Sequence, residues 1–206
     1  NIFFMTNSSI NPQNLWNPKI PDGELFYYPN FLDLEKANEL FIKLKDSIPW
    51  QQDPIKIFGK TYMQPRLTSL HSVDKNKYSY SNITMHSKPM TNELIYLKNK
   101  ISKLYPTDFN TVLLNLYRDG KDSNGWHADN EKELGLNPVI GSISLGQERA
   151  FHLKHKKNKT DRFKITLEHG SLLIMSGSLQ HNWLHQIPKT SRKINDRINL
   201  TYRKIF

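Results

Sequence analysis

Arg197-Ile198-Asn199-Leu200-Thr201-Tyr202-Arg203, close to the end of the chain, alternates polar and apolar side chains without a break. A period of two marks an extended strand, whose successive side chains point to opposite faces. Arg197, Asn199, Thr201 and Arg203 therefore share one face, which is either a solvated surface or an interior lined with polar groups. Leu113-Leu114-Asn115-Leu116-Tyr117-Arg118 bears on that choice, because Asn115 and Tyr117 share a face within an otherwise aliphatic run. Polar groups are thus aimed into an interior, where they demand partners. Two guanidiniums, two amides, a hydroxyl and a phenol converging in a small barrel suit a dicarboxylate, since arginine offers a planar fork matched to a carboxylate.

The segments around this strand have the same texture. After Pro106 come candidate strands at Thr111 to Arg118, Val139 to Leu145, Ala150 to His155, Phe163 to Glu168, Ser171 to Ser176, Trp183 to Ile187 and Arg197 to Phe206. Short strands at near-regular spacing, separated by turn residues, predict a sandwich or barrel such as a jelly roll. Two helices precede them. Asp33 is a plausible N-cap for a stripe of Leu34, Ala37, Leu40, Phe41 and Leu44 that Pro49 stops. Thr91 plays the same part for Leu94, Leu97, Ile101, Leu104 and Tyr105, with Pro106 as terminator. Both stripes predict core packing. Between the helices, a turn-rich stretch predicts short hairpins or loops. The first 20 residues, rich in Asn, Ser and Pro, read as a flexible tail, with Met5 a candidate start.

The chain has 206 residues, enough for one domain, and 37% hydrophobic and 11% aromatic residues supply a core. No stretch approaches the ~20 apolar residues of a membrane-spanning helix, and the N-terminal apolar run lacks a preceding basic segment. Zero cysteines exclude a disulfide framework, a thiolate metal site and a cysteine nucleophile, so any metal must sit on His, Asp or Glu. Lys plus Arg number 29 against 19 Asp plus Glu, a net charge of +10, which makes polyanions such as nucleic acid the natural partners. Part of that charge lies in His152 to Lys164, where Lys154, Lys156, Lys157, Lys159, Arg162 and Lys164 face the single acid Asp161. The segment is either a solvated hairpin or a surface for phosphate contacts, which fix register without reading sequence.

His127-Ala128-Asp129 places an imidazole and a carboxylate on the same face if the chain is extended, and His185 follows in a predicted strand. Two imidazoles and one carboxylate make a facial triad that leaves positions open on non-haem Fe(II). Alone the H-x-D spacing is a weak signal, and His181, four residues before His185, is a competing ligand. His71, His86, His152, His155 and His169 read as structural or surface residues. Taken in order, Asn115-x-Tyr117, His127-x-Asp129, His185 and Arg197-x-Asn199-x-Thr201-x-Arg203 resemble the AlkB family of Fe(II) and 2-oxoglutarate-dependent dioxygenases. Upstream, Ile57-Phe58-Gly59-Lys60, Pro65-Arg66, Tyr78-Ser79-Tyr80-Ser81, the phrase from Leu114 to Gly120 and His169-Gly170-Ser171-Leu172-Leu173 resemble the branch that repairs alkylated DNA. The resemblance spans about residues 20 to 206.

The resemblance implies a mostly β fold with flanking helices: a double-stranded β-helix (jelly roll) dioxygenase core at 106–206 under an N-terminal α/β nucleotide-recognition lid at 21–105, the whole of 21–206 folding as one unit after a tail at 1–20. It implies Fe(II) on His127, Asp129 and His185, the last preferred over His181 because it stands twelve residues before Arg197. Arg197 and Tyr117 would anchor the distal carboxylate of 2-oxoglutarate. Asn115, Asn199 and Arg203 would lie around its chelating end, with Thr201 on the same face. With O2 as co-substrate, the implied reaction is oxidation of the N-methyl group of 1-methyladenine or 3-methylcytosine, releasing succinate, CO2 and formaldehyde. The protein supplies placement and exclusion.

A methyl on the pairing edge is buried in a duplex, so the base must be flipped out. The resemblance places Tyr80 over the flipped base, opposite His127, with Tyr78 beside it, and gives Glu131 the exocyclic amine. Asn130 stands where some relatives carry an acid, which bears on base preference. Phe58 and Gly59 resemble a wedge pushed into the vacated stack, which points to double-stranded DNA; Lys60 and Arg66 would contact phosphate or the neighbouring strand. A monomer is implied, acting in the cytoplasm of a cell without nuclei or in the nucleus of a eukaryote, without a membrane partner. Alternatives are single-stranded DNA or RNA as substrate, and a catalytically silent nucleic-acid-binding module.

Overall fold

The computed structural model describes residues 15–57, 60–73, 77–80 and 83–206. Phe58 and Gly59, the expected wedge, lie outside them. Two β-sheets face each other. In the larger, β1 (Glu24–Tyr28), β4 (Leu67–Ser72), β7 (Lys88–Pro89), β8 (Thr111–Tyr117), β10 (Ile140–Gly146), β13 (Ser171–Ser176) and β15 (Arg197–Arg203) run in the order β1-β13-β10-β15-β8-β4-β7. The smaller has the order β12-β11-β14-β9, from β9 (Asn124–His127), β11 (Arg149–His155), β12 (Arg162–Leu167) and β14 (Trp183–Ile187). Two hairpins, β2 (Pro54–Ile57) with β3 (Lys60–Met63) and β5 (Lys77–Tyr80) with β6 (Ile83–His86), stand apart from both sheets. This is the jelly-roll-like layout expected of the chain's second half, built on two facing sheets.

The strand that opened the sequence reading is no solvated edge. β15 lies between β10 and β8, pairing Ser144 with Asn199 on one side and Asn115 with Asn199 on the other, and all seven of its residues are buried. Its apolar set, Ile198, Leu200 and Tyr202, packs outward beneath two helices; its polar set faces the smaller sheet. The helices are α1 (Leu34–Ser47) and α2 (Asn92–Leu104). Asp33 caps α1 by accepting the Lys36 amide at 2.8 Å, and Thr91 caps α2. α1 buries Ala37, Leu40 and Leu44, and α2 buries Leu94, Leu97 and Ile101, in one cluster with Val112, Ile143 and Leu200. Each fully buried aliphatic side chain there is worth roughly 1.5–3 kcal/mol of transfer free energy. Each helix stops two residues before a proline, which cannot donate to the helix and disfavours the α conformation before it.

A second cluster fills the space between the sheets with Leu25, Tyr117, Phe151, Leu153, Leu173 and Trp183. Gly146, at φ +85°, ends β10 opposite Arg197, where a Cβ would lie 2.5 Å from the Asp196 carbonyl. Only glycine allows the close approach that starts β15 at Arg197. The tail expectation does not extend over residues 16–20: Trp16 and Tyr27 exchange backbone hydrogen bonds of 2.9 Å, and Ile20 is buried in the inter-sheet core. Strands from either side of Pro106 share the larger sheet, since β1 pairs with β13 and β4 with β8. The stretch between the helices thus holds hairpins, as expected, and also a buried central strand, β4, that the turn-rich composition concealed.

Candidate active site

A cavity opens between the two sheets. Its floor is the polar face of β15 and β8: Arg197, Asn199, Thr201 and Arg203 beside Asn115 and Tyr117. Its roof, from the smaller sheet, brings His127 on β9, His185 on β14 and Phe151 on β11. Leu113, Leu167, Met175 and Ile187 supply apolar wall. Convergent polar groups in an apolar shell are the usual chemistry of a small-molecule site.

His127, Asp129 and His185 meet at one end, with potential donor atoms within 4.8 Å of one another. The antiparallel register sets His185 directly across from His127, and the two rings lie edge to face with centroids 4.3 Å apart. Phe151 stacks on the other side of His185 at 5.3 Å. His127 Nδ1 is 2.7 Å from the Gly125 carbonyl, so that nitrogen carries the proton and donates. Nε2, the unprotonated nitrogen, accepts from Asn124 Nδ2 at 3.2 Å and lies 3.9 Å from Asp129 Oδ1, so a cation bound there would displace the amide. Asp129 accepts a 2.8 Å hydrogen bond from Arg203 Nη2 through Oδ2. Its Oδ1, like His185 Nδ1, has no hydrogen-bond partner among the described residues.

Electrostatics prepare these groups as ligands. Burial, with the repulsion of His127 second, pushes His185 down to about 3, and burial also lowers His127. Burial works to raise Asp129, but Arg203 and the two imidazoles outweigh it and hold the carboxyl at about 2. At neutral pH the set is two neutral imidazoles and one carboxylate, the protonation states that metal binding requires. A carboxylate oxygen buried with no partner is costly, so a divalent cation fits the site.

The opposite end fits a carboxylate. Arg197 is 1% exposed, donates through Nη2 to Ser144 Oγ at 2.8 Å and lies 5.2 Å from the Tyr117 ring. Its Nε and Nη1 have no partner among the described residues. Burial lowers its pKa to about 10, with the Tyr117 hydroxyl opposing, so the guanidinium stays charged at neutral pH. Two unused donors of a buried planar fork match a bidentate carboxylate. Between the ends, Asn199 Nδ2 donates to Ser142 Oγ (2.8 Å), Thr201 donates to Asn199 Oδ1 (2.9 Å), and Asn115 Nδ2 donates to the same oxygen (3.3 Å).

The structure therefore brings together all nine residues expected for metal and 2-oxoglutarate, with one role refined: Arg203 pairs with the ligand Asp129. His181 is left outside, exposed on the short α3 (Leu179–Asn182), where its Nε2 accepts the Asn137 amide at 3.4 Å. A phosphate contact for Arg66 is corrected: the residue is 4% exposed, and its Nε donates to Asn115 Oδ1 at 2.7 Å while Nη1 reaches the Ser123 carbonyl. Glu131 is half-buried two residues beyond Asp129, and Lys60 is exposed at the start of β3. Tyr78 and Tyr80 lie on β5, their side chains outside the described set.

Sequence reasoning missed Ser142, Ser144, Phe151, Asn124 and Gln180. Ser142 and Ser144 carried a readable signal, since Ser142-Ile143-Ser144 repeats the polar alternation of β15. Phe151 and Asn124 had none beyond lying on short strands. Gln180 accepts the Asp129 amide at 2.9 Å from a helix of one turn, which has no periodicity to read.

A family model described as the 2OG-Fe(II) oxygenase superfamily matches residues 24–203. The alpha-ketoglutarate-dependent dioxygenase alkB homolog 3 of Bos taurus is 41% identical over 187 residues, covering 86% of this chain and 65% of that protein. This chain thus spans just under two thirds of that relative's length. The DNA oxidative demethylase ALKBH2 of Arabidopsis thaliana is 33% identical over 212 residues, covering 89% of this chain and 67% of that protein. The solved structure of OsALKBH1 shares the fold, with a TM-score of 0.67 at 16% identity, over 91% of this chain and 99% of that one.

Proposed function

This chain belongs to the AlkB family of the 2OG-Fe(II) oxygenase superfamily, and we propose that it removes N-alkyl groups oxidatively from DNA bases. The substrates are 1-methyladenine and 3-methylcytosine, and the products are the repaired base, formaldehyde, succinate and CO2. The observation that carries the reading is one cavity holding a cation-ready His127, Asp129, His185 set at one end and the two unused donors of Arg197 at the other. Bound Fe(II) and 2-oxoglutarate supply the O2-dependent oxidation of the alkyl carbon.

The side chains do the rest. Arg203 occupies Asp129 Oδ2 and leaves Oδ1 for the metal, while Phe151 and His127 hold the His185 ring from two sides. Arg197, backed by Ser144, takes the distal carboxylate, and the Asn115, Asn199, Thr201 network fixes the floor over which the cosubstrate lies. Arg66 holds Asn115 from behind. Leu113, Leu167, Met175 and Ile187 keep water from the reacting end.

A cavity between two sheets admits a base only when the base leaves the helix, so repair requires flipping. Tyr80 and Tyr78, on the β5 hairpin, would stack on the flipped base, and Glu131 would accept from its exocyclic amine. Phe58 and Gly59 would fill the gap left in a duplex, with Lys60 on the backbone. The net charge of +10 favours a polyanion, and the printed name of the plant relative is a DNA demethylase. Mass spectrometry of a 1-methyladenine oligonucleotide tests the reading. A loss of 14 mass units that needs both Fe(II) and 2-oxoglutarate supports it; an unchanged oligonucleotide with cosubstrate consumed refutes the substrate.

A further inference from the structure

Gln180 is fully buried, at 0% exposure, yet carries an amide with both donor and acceptor atoms. A buried amide left unpaired costs about 1–3 kcal/mol, so its partners show what it is there to hold. Its Oε1 accepts the backbone amide of Asp129 at 2.9 Å, across 51 residues of sequence. Its Nε2 donates to Met175 Sδ at 3.6 Å, a β13 residue that also lines the cavity. Its carbonyl accepts Lys156 Nζ at 3.0 Å. The turn of α3 that carries Gln180 runs straight into β14, which bears His185.

On the reading of His127, Asp129 and His185 as iron ligands, we infer that Gln180 is a positioning residue that fixes Asp129 in the metal-binding orientation and ties its loop to the strand bearing His185. Asp129 follows β9 in irregular backbone, so no ladder fixes its place. Two fasteners do so instead: Arg203 holds carboxylate Oδ2 and Gln180 holds the main-chain N–H. With both ends pinned, Oδ1 is directed toward His127 before a cation arrives. Partners behind a metal ligand of this kind carry 10–100-fold in metal affinity.

The test uses Gln180→Leu, which keeps the volume and removes the amide, and Gln180→Asn, which keeps the amide one methylene too short to reach Asp129. Co(II) binding to the full chain is measured by titration calorimetry without substrate, and 2-oxoglutarate affinity is measured at saturating Co(II). The expected result is a 10–100-fold weaker Co(II) Kd in both variants, with 2-oxoglutarate affinity within about twofold of the parent, because Arg197 and Ser144 are untouched. A general loosening of the core would move both affinities together, and that result overturns the inference. So does parent-like Co(II) binding. Should Gln180→Leu fail to fold, Gln180→Asn decides alone. A parent chain that binds no Co(II) sinks the iron-site reading itself and the inference with it, whereas a parent that binds while the variants bind equally sinks the inference alone.

Discussion

Replacing Arg203 by methionine removes a guanidinium 3% exposed from a carboxylate 2% exposed at 2.8 Å. Methionine fills most of the volume, so the change is chiefly electrostatic. Breaking a buried pair by deleting one partner costs roughly 3–5 kcal/mol, because the remaining charge is stranded. Asp129 has one escape. Burial already works to raise its carboxyl, and without Arg203 it can take a proton, at a cost of about 1.36 kcal/mol for each unit between pH 7 and its new pKa. The expected loss in the metal-free variant is therefore about 3 kcal/mol at pH 7, diminishing toward pH 5 as protonation becomes easier. A divalent cation takes over the role of the guanidinium, so added Co(II) should stabilise the variant more than the parent. Urea unfolding at pH 5 and pH 7, with and without Co(II), reads all of these. A metal-free loss below 1 kcal/mol, or one that does not change with pH, would refute the reasoning that Asp129 is held ionised by Arg203.

Arg197→Met should raise the KM for 2-oxoglutarate by about 10–100-fold, since charged hydrogen bonds carry about 1.5–3 kcal/mol, while leaving the metal-free chain as stable as before or more so, because a buried cation with two unused donors is removed. Initial-rate kinetics beside a thermal melt reads this split, and a variant with an unchanged KM contradicts it. His185 titrates at about 3 in the folded metal-free chain against 6.5 ordinarily. The unfolded chain therefore binds more protons between these values, and stability is fully present above pH 6.5 and falls by a few kcal/mol toward pH 3. Asp129, depressed from 3.8 to about 2, adds a further loss in that lower window. Urea melts from pH 7 to pH 4 should slope downward with acid, and less steeply in His185→Gln; equal slopes contradict the assignment. Phe58→Ala should lower repair of double-stranded more than of single-stranded oligonucleotides, and a parallel loss on both argues against a wedge.

The core of the fold was legible where periodicity was strong. Asp33 and Thr91 cap helices where the stripes begin, and the polar alternation of Arg197 to Arg203 forecast the cavity floor. Alternation alone left open whether that strand was solvated; its place between β10 and β8, with helices behind it, decides the matter. β1 was hidden because Leu25-Phe26-Tyr27-Tyr28 is apolar throughout, its hydroxyls and rings serving both faces. β9, four residues with Gly125 inside, is too short to show a period. At the site, the choice of His185 over His181 rested on resemblance, and the geometry supplies its physical reason: strand alternation turns His185 inward, while His181 caps an exposed turn. The phosphate role of Arg66 rested on resemblance alone, and the pairing of β4 with β8 shows the side chain reaching Asn115 instead.

The most direct measurement is succinate and formaldehyde release from matched single- and double-stranded oligonucleotides carrying 1-methyladenine, with Fe(II) and 2-oxoglutarate, for the parent chain, His185→Ala and His181→Ala. Equal amounts of the two products from the parent and from His181→Ala, and none from His185→Ala, are predicted. Turnover that survives in His185→Ala, or succinate without formaldehyde in the parent, contradicts the account.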